Sequence, residues 1–327
     1  MDARGSEPVL TNVVDRDITE LLNKTHHSTE KYTLQTPVET LFASNGSCVL
    51  SPEVTEGPYY VAGEFIRDNI VEKEPGVNLA LDLQVLDVAT CDPVADKYLE
   101  IWRESQPLCQ LASLQTNTRP DCNSTGVYGG VAAAGNGNGD ASNLNSTWLR
   151  GVLKTDKDGV AQFHTLFPGH YTGRATHIHV MVHQNATAYP NGTLFGTQAA
   201  HVGQVYFDQD LITEVEKLPV YAANKQPLTT NAQDFLLAQG AASGDPIVNY
   251  VLLGDKIQDG LLGWIAFGVN TTLSRTVSPG ATYYESGGKQ SPGGGFPGGG
   301  PGGPPPPGGF PSGFPSGFPG PRPTGAP

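Results

Sequence analysis

The sequence predicts a mainly β chain: an antiparallel β-sandwich with few short helices and a disordered Gly/Pro-rich C-terminal tail. Three observations carry this. Residues 77–88, "VNLALDLQVLDV", alternate so that Leu79, Leu81, Leu83 and Val85 share one face, the period of a half-buried strand. "HIHVMVH" (177–183) and "HVGQVYF" (201–207) alternate in the same way. Turn-forming residues separate many short apolar runs, while helical periodicity is scarce.

In chain order, residues 1–45 form a polar N-terminal arm whose helical candidate is "DITELLNKTHH". The domain occupies 46–275 and starts with the Pro/Gly-rich "CVLSPEVTEGPYYV". After the first strand, "TCDPVAD" is turn chemistry and "KYLEIW" the returning strand. "WLRGVLKT" and "VAQFHTLF" flank "DKDG", a hairpin signal. "DLITEVEKL" and "NAQDFLLAQG" carry helical patches, and "NYVLLGD" and "GWIAFGVN" read as late strands. Residues 276–327 are assigned to the tail. From Gly288 onward they are almost wholly Gly, Pro, Ser and Phe, too poor in apolar surface to offset chain entropy. The remainder, about 230 residues, suits one domain with a substantial core.

A net charge of −13 and a pI near 4.9 argue against nucleic acid or an anionic membrane as partner. No apolar run approaches a membrane span. Seven Asn-x-Ser/Thr sequons, at Asn23, Asn45, Asn123, Asn145, Asn185, Asn191 and Asn270, point to a secreted glycoprotein. "MDARGSEPVL" has no signal-peptide core, so this reading places the true start upstream of Met1, with a cytoplasmic protein as the alternative. Cys48, Cys91, Cys109 and Cys122 lack metal-type spacing. One disulfide is expected; Cys91–Cys122 is disfavoured because a strand length separates them.

The chemistry concentrates in "FPGHYTGRATHIHVMVH". His177 and His179, at i and i+2 of a strand, share a face with Cα atoms about 6.5–7 Å apart. Imidazoles so placed can converge on one metal at about 2.1 Å. By the same rule His183 lies about 13 Å from His179, out of reach. His164, His170 and His201 read as surface or packing residues.

"PGHYTGRATHIHV" resembles the ligand segment of the intradiol ring-cleavage dioxygenases, in particular the secreted fungal-type branch. "TEGPYY" at 55–60 and "LRGVLKTDKDG" are further landmarks, and the resemblance spans about residues 47–275. It implies a mononuclear non-haem Fe(III) held by Tyr128 of "TGVYGG", Tyr171, His177 and His179. Arg174, three residues before His177, matches the family's catalytic arginine, and Gln204 its downstream glutamine. Anionic phenolates suit Fe(III), and neutral imidazoles complete the set. The implied reaction opens a catechol-type ring between its two hydroxyls with O2, giving a cis,cis-muconate-type diacid. The implied partners are a small aromatic diol and O2, with a homodimer as the candidate assembly. The alternatives are a secreted non-catalytic β-sandwich binding module and a His-based Zn/Cu site. No Glu follows His179 at cupin-like spacing, which counts against the last.

Residues 103–121, "RESQPLCQLASLQTNTRPD", fit none of this. In the family the return strand ends Trp-His and the first tyrosine follows almost at once; here Arg103 follows Trp102 and Tyr128 is delayed. Arg103-Glu104-Ser105 can encode a GTGAGT splice donor, Thr116-Asn117-Thr118 a branch sequence and Pro120-Asp121 an acceptor. Their removal restores a histidine in frame. The segment is therefore read as a non-native insertion, a retained intron.

Overall fold

The computed structural model describes residues 18–43, 48–54, 56–103, 128–132 and 141–292. The chain opens with α1 (Ile18–Asn23) and α2 (Val38–Leu41), then the short strands β1 (Val61–Ala62) and β2 (Glu64–Phe65). The long strands follow: β3 (Asn78–Asp87), β4 (Tyr98–Trp102), β5 (Arg150–Lys154), β6 (Val160–Leu166) and β7 (His177–His183). After β8 (Thr187–Ala188) and β9 (Thr193–Phe195) comes β10 (Gln198–Tyr206). Helices α3 (Gln209–Glu216), α4 (Pro219–Ala222) and α5 (Phe235–Ala241) lead to β11 (Asn249–Leu252) and β12 (Leu261–Val269). β13 (Arg275–Thr276), β14 (Ala281–Tyr284) and β15 (Gly287–Gln290) close the described chain.

Two sheets form the sandwich: five strands in the order β13-β10-β7-β4-β5 and four in the order β11-β12-β3-β6. Pairing is mostly antiparallel, but β3 and β12 run parallel over nine residue pairs, Leu261↔Leu79 to Val269↔Asp87. The predicted face of β3 (Leu79, Leu81, Leu83, Val85) fills the core against Leu99, Ile101, Ile178, Val180 and Val182 of the other sheet.

Both predicted hairpins need correction. The Asp156–Gly159 turn forms: Gly159 N–H donates to Asp156 O, and Asp156 Oδ1 accepts from Asp158 N and Val160 N. Yet β5 pairs with β4, and β6 with β3. The turn thus carries the chain from one sheet to the other. The turn after β3 does the same, because β4 pairs with β5 and β7. Apolar alternation tells which side of a strand is buried, not which strand lies beside it.

The described part of the N-terminal arm, residues 18–43, is docked. His27 bridges Tyr250 and stacks on its ring, covering part of the β11 edge. His26 is buried between two carboxylates, Nδ1 at 2.5 Å from Asp208 and Nε2 at 3.0 Å from Asp245. Burial pulls the His26 pKa down, but the hydrogen bonds to Asp208 and Asp245 outweigh it and hold it above the ordinary 6.5. Asp245 is lowered to about 2, with His26 and Lys24 outweighing its burial. A raised histidine stabilises fully below its unfolded pKa of 6.5 and loses that contribution as pH climbs through the folded value. A depressed Asp245 stabilises above 3.8 and loses its contribution as pH falls towards 2. Hydrogen-exchange protection of α1 is therefore expected to peak between these limits and to fall on the alkaline side; protection unchanged up to pH 9 would count against this clasp.

Cys48 pairs with Cys91, Cα atoms 5.4 Å apart; Cys109 and Cys122 lie outside the described residues. The predicted tail boundary moves: β14 and β15 pair with each other and β14 with β1, so ordered chain runs past 276 to Gln290. Of the 103–121 segment only Arg103 is described. Its side chain is buried, donating to Thr165 Oγ1 and Phe167 O. Among the described sequons Asn23, Asn145, Asn185 and Asn191 are exposed and Asn270 is half-buried; Asn45 and Asn123 lie outside the described residues.

Candidate metal centre

The alternation of β7 sends Ile178, Val180 and Val182 into the sandwich and His177, His179, Met181 and His183 to the opposite face of the sheet. That outer face is not solvated. Tyr59, Tyr60, Val61 and Ala62, with Tyr128, Val131, Val277 and Ala281, close over Trp102, Met181 and Val202. All seven residues of β7 are buried as a result.

Under this cover the four predicted ligands meet. The Nε2 atoms of His177 and His179 lie 3.1 Å apart. The ring of Tyr171 is 5.7 Å from that of His177, Tyr128 is 6.1 Å from His179, and the two tyrosine rings are 6.0 Å apart. His177 Nδ1 lies 2.6 Å from Ala175 O. Donation to that carbonyl leaves the Nε2 lone pair facing the site. His179 stacks on Trp102 at 4.7 Å. Burial, reinforced by the charge of Arg174, lowers His177 to about 3. Burial, with the charge of Arg174 adding to it, holds His179 well below 6.5. Both imidazoles are thus neutral at physiological pH, the form that binds a metal.

Tyr128 is fully buried and held by its own loop. Asn143 Nδ2 donates to Tyr128 O and Val131 O, both at 2.7 Å, and Tyr59 stacks on its ring at 4.4 Å. Arg150 Nε donates to Gly129 O and Nη2 to Tyr59 O, both at 2.6 Å, with the guanidinium 6.0 Å from the Tyr128 ring centroid. Tyr171 sits in a turn closed by its bridge to Arg174, where Gly173 takes φ +93°, left-handed backbone that favours glycine. It is half-buried, the more accessible of the two tyrosines.

Arg174 and Gln204 stand beside the imidazoles. Arg174 Nη2 donates to Gln204 Oε1 and, at 2.9 Å, to Tyr206 Oη; Tyr206 O–H donates to Gln204 Oε1 at 2.7 Å. The Gln204 amide nitrogen lies 3.4 Å from His179 Nδ1. Arg174 Nε donates to Asp234 Oδ2 at 2.9 Å. The other histidines are occupied elsewhere: His170 pairs with Glu216, His183 with Glu100 and His201 with Glu53, while His164 is exposed. Sequence reasoning missed Asp234, Tyr206, Arg150 and Asn143. Only Asp234 had a local signal, an Asp at the head of the apolar run "FLLAQ".

The donor set decides which metal fits. Among the described residues no group of three or more His, Cys, Asp and Glu side chains could hold an ion. Among the described residues, the further oxygen donors whose rings converge with those of His177 and His179 are the phenols of Tyr128 and Tyr171. Two phenolates with two imidazoles suit a hard trivalent ion such as Fe(III), so the residues present fit the implied group. A purely His-based zinc or copper site has no third histidine here.

No family model and no curated protein matches the chain. Solved structures do. An intradiol ring-cleavage dioxygenase from Tetranychus urticae is similar at 27% identity and TM-score 0.52, covering 69% of this chain and 96% of that one. A second solved dioxygenase is similar at 27% identity and TM-score 0.50, over 69% of this chain and 97% of its own.

Proposed function

We propose that this chain, which has the fold of the intradiol ring-cleavage dioxygenases and carries Tyr128, Tyr171, His177 and His179 in segments that resemble that family's motifs, opens the ring of a catechol-type substrate with O2. The cut falls between the two hydroxyls and yields a cis,cis-muconate-type diacid. The observation that carries this reading is the convergence of two neutral imidazoles and two tyrosine rings beside a buried arginine. A ferric ion held by Tyr128, Tyr171, His177 and His179 would acidify the bound diol and make its ring reactive towards O2.

The residues of the chain do the rest. Tyr171, half-buried, is the better placed tyrosine to take up a proton from an arriving hydroxyl; Tyr128 is locked by Asn143 and by the Arg150 bonds to its loop. Arg174 presents fixed positive charge to negative charge developing on the ring, preorganised by Asp234, Gln204 and Tyr206. The cover of residues 59–62 keeps water from the β7 face.

The test is oxygen uptake with catechol, protocatechuate and hydroxyquinol, on iron-loaded protein with and without residues 103–121. Turnover of at least one diol is expected, together with a visible tyrosinate-to-Fe(III) charge-transfer band. Iron-loaded protein that is colourless and takes up no oxygen with any of the three would sink the proposal.

A further inference from the structure

We infer that Asp234 is a positioning residue for this site, tying Arg174 and, through Ala175, His177 to the start of α5; this rests on the dioxygenase reading above. Asp234 lies 60 residues from Arg174, and its side chain is fully buried. An ionised carboxylate has about four acceptor positions, and Asp234 spends them on two groups of donors. Oδ2 accepts from Arg174 Nε at 2.9 Å and Ala175 N at 2.6 Å. Oδ1 accepts from Leu236 N at 2.7 Å and Leu237 N at 3.0 Å, capping α5.

The consequences run in two directions. Arg174 Nε is fixed, so its Nη2 edge points at Gln204 and Tyr206. Ala175, whose N–H is fixed by Asp234, presents its carbonyl to His177 Nδ1 at 2.6 Å. That contact selects the tautomer with Nε2 free for the metal. One carboxylate therefore aligns the cationic group and the first histidine of the motif together, and α5 anchors both. A capping role alone would need neither Oδ2 contact.

Asp234→Asn separates the two roles. Asn is a good cap, so its oxygen keeps Leu236 N and Leu237 N, and its NH2 then meets the Arg174 Nε–H and Ala175 N–H donors head-on. In metal-free Asp234→Asn protein, NMR is expected to show faster exchange of the Arg174 Nε–H, with Leu236 and Leu237 amides still protected. In iron-loaded protein kcat is expected to fall roughly 10- to 100-fold, with KM changed far less and the charge-transfer band retained. Asp234→Ala should lose the helix protection as well.

Wild-type exchange of the Arg174 Nε–H in Asp234→Asn, or wild-type kcat, would overturn the inference. So would a fall in kcat matched by equal loss of iron and of Leu236 protection, which is what a merely structural residue gives. Wild-type protein without turnover would refute the dioxygenase reading alone. The Nε–H measurement, made without metal, would still decide the Asp234 link.

Discussion

Replacing Arg174 with glutamine is expected to lower kcat about 10²- to 10³-fold, the loss seen when one preorganised donor to developing charge is removed. The magnitude follows from placement. The guanidinium is buried beside the paired imidazoles, and three partners, Asp234, Gln204 and Tyr206, hold it in one orientation. Burial opposes its charge, but Tyr171, Tyr206 and Asp234 outweigh that and raise its pKa above the ordinary arginine value. It is therefore a permanent cation that need not reorganise during the reaction. Arg174→Lys keeps the charge but loses the planar fork that reaches all three partners, so it should recover only part of the rate. Steady-state oxygen uptake reads the effect, and the visible band serves as control for the ligands. Wild-type kcat in Arg174→Gln would remove the arginine from the mechanism.

The strands that build this site were legible because period-2 alternation is local. β3, β7 and β10 stand where "LALDLQV", "HIHVMVH" and "HVGQVYF" put them. Their neighbours were not legible. Turn residues reverse the chain with or without pairing of the flanking strands, and here both turns cross between sheets. The order of Tyr128, Tyr171, His177 and His179 was readable as a motif, and the fold brings all four together. Asp234 and Arg150 were not, since each acts on residues far away in sequence: Asp234 on Arg174, and Arg150 on Tyr59. The tail boundary failed for a different reason. Gly287 and Gly288 look like disorder by composition, yet they let β15 approach the 144–145 turn. A Cβ on Gly288 would come within 1.8 Å of Leu144 O, and Gly287 has φ +101°.

The largest stability effect is expected at Arg150, which sets the Tyr128 loop from behind. Its side chain is wholly buried. Its bonds to Gly129 O and Tyr59 O are charge-assisted, worth roughly 1.5–3 kcal/mol each, and both carbonyls would lose that donor in Arg150→Met. Relief of the buried charge offsets part of this, leaving a loss of about 3 kcal/mol, or roughly 6–12 °C in Tm. Glu64, the nearest carboxylate at 3.8 Å, behaves differently. Burial raises it from 4.5 to about 8 against the pull of Arg150, so at neutral pH it is mostly protonated. Glu64→Gln copies that form, and its Tm at pH 7 should stay within a few degrees of wild type. A carboxyl with a raised folded pKa stabilises fully below 4.5 and loses that contribution as pH climbs through about 8. Glu64→Gln should therefore flatten the decline of wild-type Tm between these limits. Arg150→Met should lower Tm at every pH and, by freeing the loop, weaken the charge-transfer band of iron-loaded protein. Calorimetry from pH 4 to 9 separates the two, and an unchanged Tm in Arg150→Met would show that Asn143 and the Tyr59 stack hold Tyr128 without it.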